Sequence, residues 1–152
     1  MATKPPPASS PFWKAWEYFT SINTFLFQKT GGRLGNRMPF TGAPIILLHH
    51  VGAKSGTRRV SPLIGLADGG RWVIVGSKGG TDKNPAWLYN LKANPETEIE
   101  VGRDTVPVRA RVVDEAERAE LWPKLVETYP PYDDYQQFAG DRRIQVVSLD
   151  PR

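Results

Sequence analysis

Between residues 12 and 28 the chain reads FWKAWEYFTSINTFLFQ. Phe12, Trp16, Phe19 and Asn23 recur at helical spacing, as do Ile22, Phe25 and Leu26, so the pattern predicts an amphipathic helix with a strongly aromatic apolar face. That face is expected to pack on the domain core. The sharper reading is a membrane-surface helix or a cover over a substrate channel, because Lys14, Lys29, Arg33 and Arg37 lie close by. Before it, residues 1 to 11 are rich in Pro and Ser and are expected to be disordered. After it comes a Gly-rich loop over residues 30 to 42.

Beyond that loop the pattern changes to short apolar runs. Residues 44 to 51, 59 to 66, 71 to 77, 98 to 101, 106 to 113 and 145 to 149 read as strands, and Asp68-Gly69-Gly70 is a hairpin signal. Asn84 as N-cap with Pro85 at the first helical position predicts a helix AWLYNLKAN that stops before Pro95. Asp114 and Glu117 have capping-box spacing and start another helix, which Pro123 is expected to kink or split and Pro130-Pro131 to end. A short helix over Tyr132 to Phe138 follows. Six or so strands joined by hairpins, with helices between them, predict a mainly β, α+β domain built as a small antiparallel barrel. The expected organisation is a tail over 1 to 11, a helix over 12 to 28 and a barrel over 29 to 152.

Composition narrows the chemistry. A chain of 152 residues fits one domain. It has no cysteine, which removes disulfides, thiolate metal sites and thiol nucleophiles and is compatible with a reducing cytoplasm. His49 and His50 are adjacent in the run IILLHHV; on a strand they point to opposite faces, so a structural or pocket-lining role is expected rather than a shared metal. The net charge of +4 and pI near 9.5 favour an anionic ligand or surface. No apolar run is long enough to span a bilayer, and MATKPPPASSPFW lacks the apolar core of a secretion signal.

Three loops concentrate the polar chemistry. GAKSGTRR, residues 52 to 59, fails the spacing of a phosphate loop because Lys54 stands between the glycines, which leaves a basic turn of Lys54, Arg58 and Arg59 with no acid. SKGGTDKNPAW, residues 77 to 87, couples a Gly turn to a helix start, where backbone N–H groups favour anions. TYPPYDDY, residues 128 to 135, places Tyr129, Tyr132 and Tyr135 near one helix face, either as a packing corner or as a wall for a flat ligand. No nucleophile, base and acid come together, so a site in which a cofactor carries the chemistry fits better than a hydrolase.

GAKSGTRRVSPL, DGGRWVIVGSKGGTDKNPAWLYNLKANP, ERAELWPKL and TYPPYDDYQ together resemble the deazaflavin-dependent nitroreductase family of actinobacteria over about residues 12 to 150. The resemblance implies a split β-barrel of the flavin-mononucleotide-binding type, with reduced coenzyme F420 as hydride donor and a quinone, nitroaromatic or activated alkene as acceptor. It places the cofactor's phosphate and tail on Lys54, Ser55, Arg59, Val60, Ser61, Pro62 and Leu63, and counts Ala53 and Ile64 among the cofactor-binding positions as well. The ring falls beside Val75, Gly76, Ser77 and Lys78, and the helix start at Ala86, Trp87, Leu88, Tyr89 and Asn90 also meets the cofactor. Tyr129, Tyr132 and Tyr135 line the acceptor side, Tyr132 touching the cofactor as well. Tyr132, then Tyr129, Ser77 and Tyr135, are the candidates for proton delivery or acceptor orientation.

Two positions depart from the family pattern. Ala53 stands where an arginine is usual, and Ile64 where some nitroimidazole-reducing members carry tyrosine. The expected place of action is the cytoplasm, with peripheral attachment to the membrane through the N-terminal helix. Two rival readings are a flavin mononucleotide- or haem-binding barrel and, more distantly, a nucleic-acid-binding barrel. The latter is disfavoured because the basic residues are dispersed among acids.

Overall fold

The computed structural model describes residues 3–7, 9–38 and 41–152. The expected disorder over 1 to 11 falls partly outside these residues; within them, Ser10 N–H donates to Pro7 O at 2.9 Å. Helix α1 spans Phe12–Thr30 and is followed by strands β1 (Ile45–Val51), β2 (Arg58–Ile64), β3 (Leu66–Asp68) and β4 (Arg71–Val75). A single 3-10 turn at Lys78–Gly80 precedes α2 (Ala86–Ala93). Strands β5 (Glu96–Val101) and β6 (Asp104–Val112), helices α3 (Glu115–Thr128) and α4 (Pro131–Phe138), and strand β7 (Val146–Pro151) complete the order.

All strand pairs are antiparallel, in one seven-stranded sheet ordered β2-β1-β5-β6-β7-β4-β3. Strands β2 and β3 therefore occupy opposite edges, yet Gly65 alone separates them in sequence. The sheet has to curl until its two edges meet, which makes a split barrel. Glycine is required at the joint, since a Cβ on Gly65 would stand 2.9 Å from Trp72 Cε3 and 3.2 Å from Ile46 Cδ1. The sequence pattern runs these two strands together as one; the break comes from this close approach.

Alternation across the strands sorts two cores. Ile46 and Leu48 of β1, Ile74 of β4, Ile99, Val108, Val147 and Leu149 face the inside of the curl, where Trp87, Leu88 and Leu91 of α2 fill it. Val73, Val75 and Val146 point the other way, to Leu121 and Leu125 of α3 and Tyr132 of α4. Asp114 caps α3 as expected, its Oδ1 accepting from Glu117 N–H at 2.8 Å. Pro123 does not split α3; it sits exposed, on the side where water satisfies the carbonyl left without its donor. The N-cap of α2 is Pro85, one residue later than expected, because Asn84 spends its side chain elsewhere.

The largest departure is α1. Its apolar face does not pack on the core: Phe12, Trp16, Phe19, Ile22 and Phe25 are 43–58 % exposed, Leu26 is 38 % exposed and Phe27 alone is buried. The helix touches edge strand β2, Asn23 Nδ2 donates to Gly35 O at 3.3 Å, and both helix ends are held. Gly32 lies against the backbone of Gly102 in the β5–β6 turn, close enough that a Cβ would stand 2.6 Å from Gly102 Cα. At the other end Trp13 Nε1–H donates to Pro7 O at 3.0 Å, and the Trp13 ring lies over Gly79.

Replacing Gly65 by Val should cost about 1–3 kcal/mol of stability through overpacking against Trp72 and Ile46. Urea unfolding reads this directly, and an unchanged midpoint would remove the joint as the determinant of the curl.

Candidate functional site

The β1–β2 turn is built by its own hydrogen bonds. Gly52 N–H donates to Thr57 O and Gly56 N–H to Gly52 O, both at 2.9 Å, and Ser55 Oγ accepts from Thr57 N–H at 3.2 Å. The turn is then tied to α2. Asn90 is buried; its Oδ1 accepts from Ala53 N–H and its Nδ2 donates to His50 Nδ1, both at 2.9 Å. With Nδ1 accepting, the His50 proton sits on Nε2, which lies 2.9 Å from Ser61 Oγ of β2. Burial first, then Arg59 and His49, pull His50 down to about 4, so it is neutral. His49 points the opposite way, 2.8 Å from Glu100 Oε2. What the turn presents outward is charge: Lys54, Arg58 and Arg59 are exposed and form no ion pair among the described residues.

A second feature lies at the end of β4. Ser77 is right-handed, Lys78 is left-handed at φ 43°, and Gly79 follows at φ 63°. A right-then-left pair turns successive N–H groups toward one side, the arrangement of an anion-binding concavity. The N–H groups of Ser77, Lys78 and Gly79 donate to no acceptor among the described residues. One side chain holds the turn in shape. Arg142 donates to Gly76 O at 3.0 Å, Ser77 O at 2.6 Å, Thr81 O at 2.8 Å and Asn84 Oδ1 at 3.0 Å. The N-terminal segment roofs it, with Lys78 Nζ 5.9 Å from the Trp13 ring centroid.

The tyrosine helix docks on this turn. Gly80 lies against Tyr135, where a Cβ would stand 2.6 Å from Tyr135 O. The three tyrosines pack together, with Tyr129–Tyr132 centroids 5.0 Å apart and the Tyr129 and Tyr135 hydroxyls 3.2 Å apart. Tyr132 is buried, 6.2 Å from the Trp122 ring, and burial pushes its phenol well above the ordinary tyrosine value. It therefore stays protonated at any working pH. Tyr135 is shifted the same way, by burial and its bond to Tyr129.

Most of the expected residues thus fall on adjoining parts of the fold. Lys54, Ser55 and Arg59 occupy the β1–β2 turn; Val60, Ser61, Pro62, Leu63 and Ile64 run along edge strand β2. Val75 and Gly76 are buried at the end of β4, with Ser77 and Lys78 half-buried beyond them. On α2, Ala86 and Tyr89 face solvent, whereas Trp87, Leu88 and Asn90 are buried; Trp87 and Leu88 belong to the inner core, and a Cβ on Gly76 would lie 3.5 Å from Leu88 Cδ2. Their contribution is to hold the strand end from beneath. Sequence reasoning missed Arg142 and Trp13 as parts of this region. Neither carries a motif: Arg142 acts on residues about 60 positions away, and Trp13 lies off the apolar spacing of α1.

A curled antiparallel sheet carrying a basic turn, a second turn with undonated N–H groups and a tyrosine cluster defines a split-barrel protein. The chain belongs to the F420H(2)-dependent quinone reductase family, whose description matches residues 20–151, and it is an oxidoreductase that takes reduced coenzyme F420 as hydride donor. It is 40 % identical over 135 residues to the F420H(2)-dependent quinone reductase of Mycobacterium tuberculosis, spanning 86 % of this chain and 89 % of that one. A solved F420-H2 dependent reductase superposes with a TM-score of 0.65 at 41 % identity, over 70 % of this chain and 94 % of its own. A second structure, described as a domain-swapped dimer, gives 0.68 at 34 % identity over 93 % and 100 %.

Two outcomes follow from these contacts. Arg142→Lys keeps the charge but cannot serve four acceptors from one plane, so KM for reduced F420 should rise about tenfold or more; steady-state kinetics with kcat and KM separated test this. His50 has a folded-state value of about 4 against an ordinary 6.5, so the unfolded chain binds its proton first. Its stabilisation is full above pH 6.5 and is lost as pH falls toward 4. Glu117, held at about 2 by Arg111 and Arg71, loses its stabilisation as pH falls from about 4.5 toward 2, so its window meets that of His50 only at the acid end. Thermal unfolding between pH 7 and pH 4 should fall for the native chain and be flatter for His50→Gln.

Proposed function

We propose that this chain reduces quinones with F420H2 and does so at a membrane surface. The observation that carries the reading is the pairing of uncompensated cations at Lys54, Arg58 and Arg59 with undonated N–H groups at Ser77, Lys78 and Gly79. That donor set suits a ligand with a phosphate and a carboxylate tail at one end and a hydrogen-bonding ring at the other. When bound, reduced F420 supplies the hydride; the chain's residues supply position and electrostatics. Lys54 and Arg59 hold the anionic tail, while Val75, Gly76 and the Ser77–Lys78 backbone fix the ring from one side. Ala53 offers no side-chain cation there, and its N–H is already spent on Asn90. Ser55 keeps a hydroxyl proton to donate although its oxygen accepts from Thr57.

On the acceptor side, Tyr132 is a phenol that burial holds in the protonated form, which suits it to stabilise negative charge developing on a quinone oxygen, and Tyr129, Ser77 and Tyr135 flank it. Ile64 offers no hydroxyl, so a nitroaromatic acceptor meets one donor fewer on β2, and quinones are the favoured class. Attachment to a bilayer through α1 is supported by its exposed aromatic stripe. Among the described residues no helix is long and apolar enough to cross a membrane.

The defining experiment follows oxidation of reduced F420 by menadione, with nicotinamide and flavin donors as controls; no F420H2-dependent turnover overturns the proposal. Lys54→Ala and Arg59→Ala should each raise the cofactor Kd roughly tenfold with little change in kcat. Tyr132→Phe should lower kcat about tenfold, and unchanged turnover on every acceptor would remove its role.

A further inference from the structure

The apolar stripe of α1 ends in positive charge. Phe12 stacks on Trp16 at 6.3 Å and Trp16 on Phe19 at 5.7 Å, and Ile22, Phe25 and Leu26 continue the exposed side. The next position along it is Lys29, whose Nζ lies 5.8 Å from the Phe25 ring. Past the helix end the chain turns through Gly31 and Gly32 to Arg33, and the β5–β6 turn brings Arg103 alongside. A Cβ on Gly31 would stand 2.8 Å from Arg103 Cγ, so the glycine lets the arginine stem lie across the helix terminus. Together Gln28, Lys29, Arg33, Gly102 and Arg103 line an open cavity of about 500 Å³.

The charges of this cavity are unbalanced. The guanidinium groups of Arg33 and Arg103 have no hydrogen-bonding or ion-pair partner among the described residues, and the Lys29 ammonium has only the Phe25 ring. Glu100 also lines the cavity, but its Oε2 is taken at 2.9 Å by Gln28 Nε2 and at 2.8 Å by His49 Nε2. The concavity therefore asks for an anion, and its position at the end of an exposed aromatic stripe says which source. A free anion has no use for the stripe. An acidic lipid has both parts, a phosphate at the level of the cations and acyl chains at the level of the rings.

Resting on the membrane reading above, we propose that the groove between the end of α1 and the β5–β6 turn holds the phosphate of an acidic lipid headgroup, with α1 lying flat in the interface. The 19-residue helix is about 28 Å long, so it lies along the surface from this groove to Trp13 at the candidate site. Docking in this pose brings the roof of the Ser77–Gly80 turn to the membrane, where an apolar quinone resides.

The test is flotation of the full chain with vesicles of phosphatidylcholine alone and with about 30 % phosphatidylglycerol. Partitioning should be at least tenfold stronger on the acidic vesicles, and Arg33→Gln with Arg103→Gln should weaken it about 10- to 30-fold there. The double variant should keep native F420H2–menadione turnover, which reports an intact fold, and Lys92→Gln on α2 should leave flotation unchanged. Phe19→Ser with Phe25→Ser should abolish binding to both vesicles. Equal binding to neutral and acidic vesicles, or an unaffected double variant, overturns the headgroup site while helix docking stands. No binding to either overturns the membrane reading and the site with it, and a dimer in light scattering that does not float assigns the stripe to a second copy. Saturable binding of inorganic phosphate without vesicles, lost in the double variant, gives the groove to a free anion and also overturns the lipid assignment.

Discussion

One residue joins the two edges of the sheet. Because Gly65 alone links β2 to β3, and these strands close opposite ends of the seven-strand order, the sheet cannot lie open. Curling gives it an inside, and α2 fills that inside with Trp87, Leu88 and Leu91. With α2 fixed there, Asn90 reaches the β1–β2 turn and the strand end at Gly76 rests on Leu88. The outer face of β4 and β7 is left to α3 and α4, which carries the tyrosines to the Ser77–Gly80 turn. Site geometry thus descends from a steric fact about a single backbone position.

Polar ties then set the detail. Asn90 and His50 hold one turn through a neutral relay, and Arg142 holds the other through four acceptors. Both ties are largely withdrawn from solvent, where hydrogen bonds position groups more firmly than at the surface. The cations of the first turn and the N–H groups of the second are left outward without partners among the described residues.

Much of this was legible in the chain. The strands, the Asp68-Gly69-Gly70 hairpin, the Asp114 cap and the short tyrosine helix follow from period and local chemistry, and the structure bears them out. The family and its cofactor were legible in the four quoted motifs. Three features were not. The break at Gly65 depends on Trp72 and Ile46, contacts between strands that a pattern along one strand does not encode. The clamp by Arg142 joins segments about 60 residues apart in the chain. The face of α1 was expected to be covered, since amphipathicity tells that a helix has an apolar side but not what meets it; its contacts with β2, at Asn23 and at Gly32 and Trp13 leave that face outward.

The Arg142 clamp also bears on how such a protein diversifies. A guanidinium shared by Gly76, Ser77, Thr81 and Asn84 makes those positions one unit of inheritance: insertion or deletion anywhere between them breaks several bonds at once. The α4 tyrosines and the roof at Trp13 lie outside the clamp. On the proposed reading of the site, a library aimed at substrate range belongs on the roof and the tyrosine helix, leaving the clamped turn untouched.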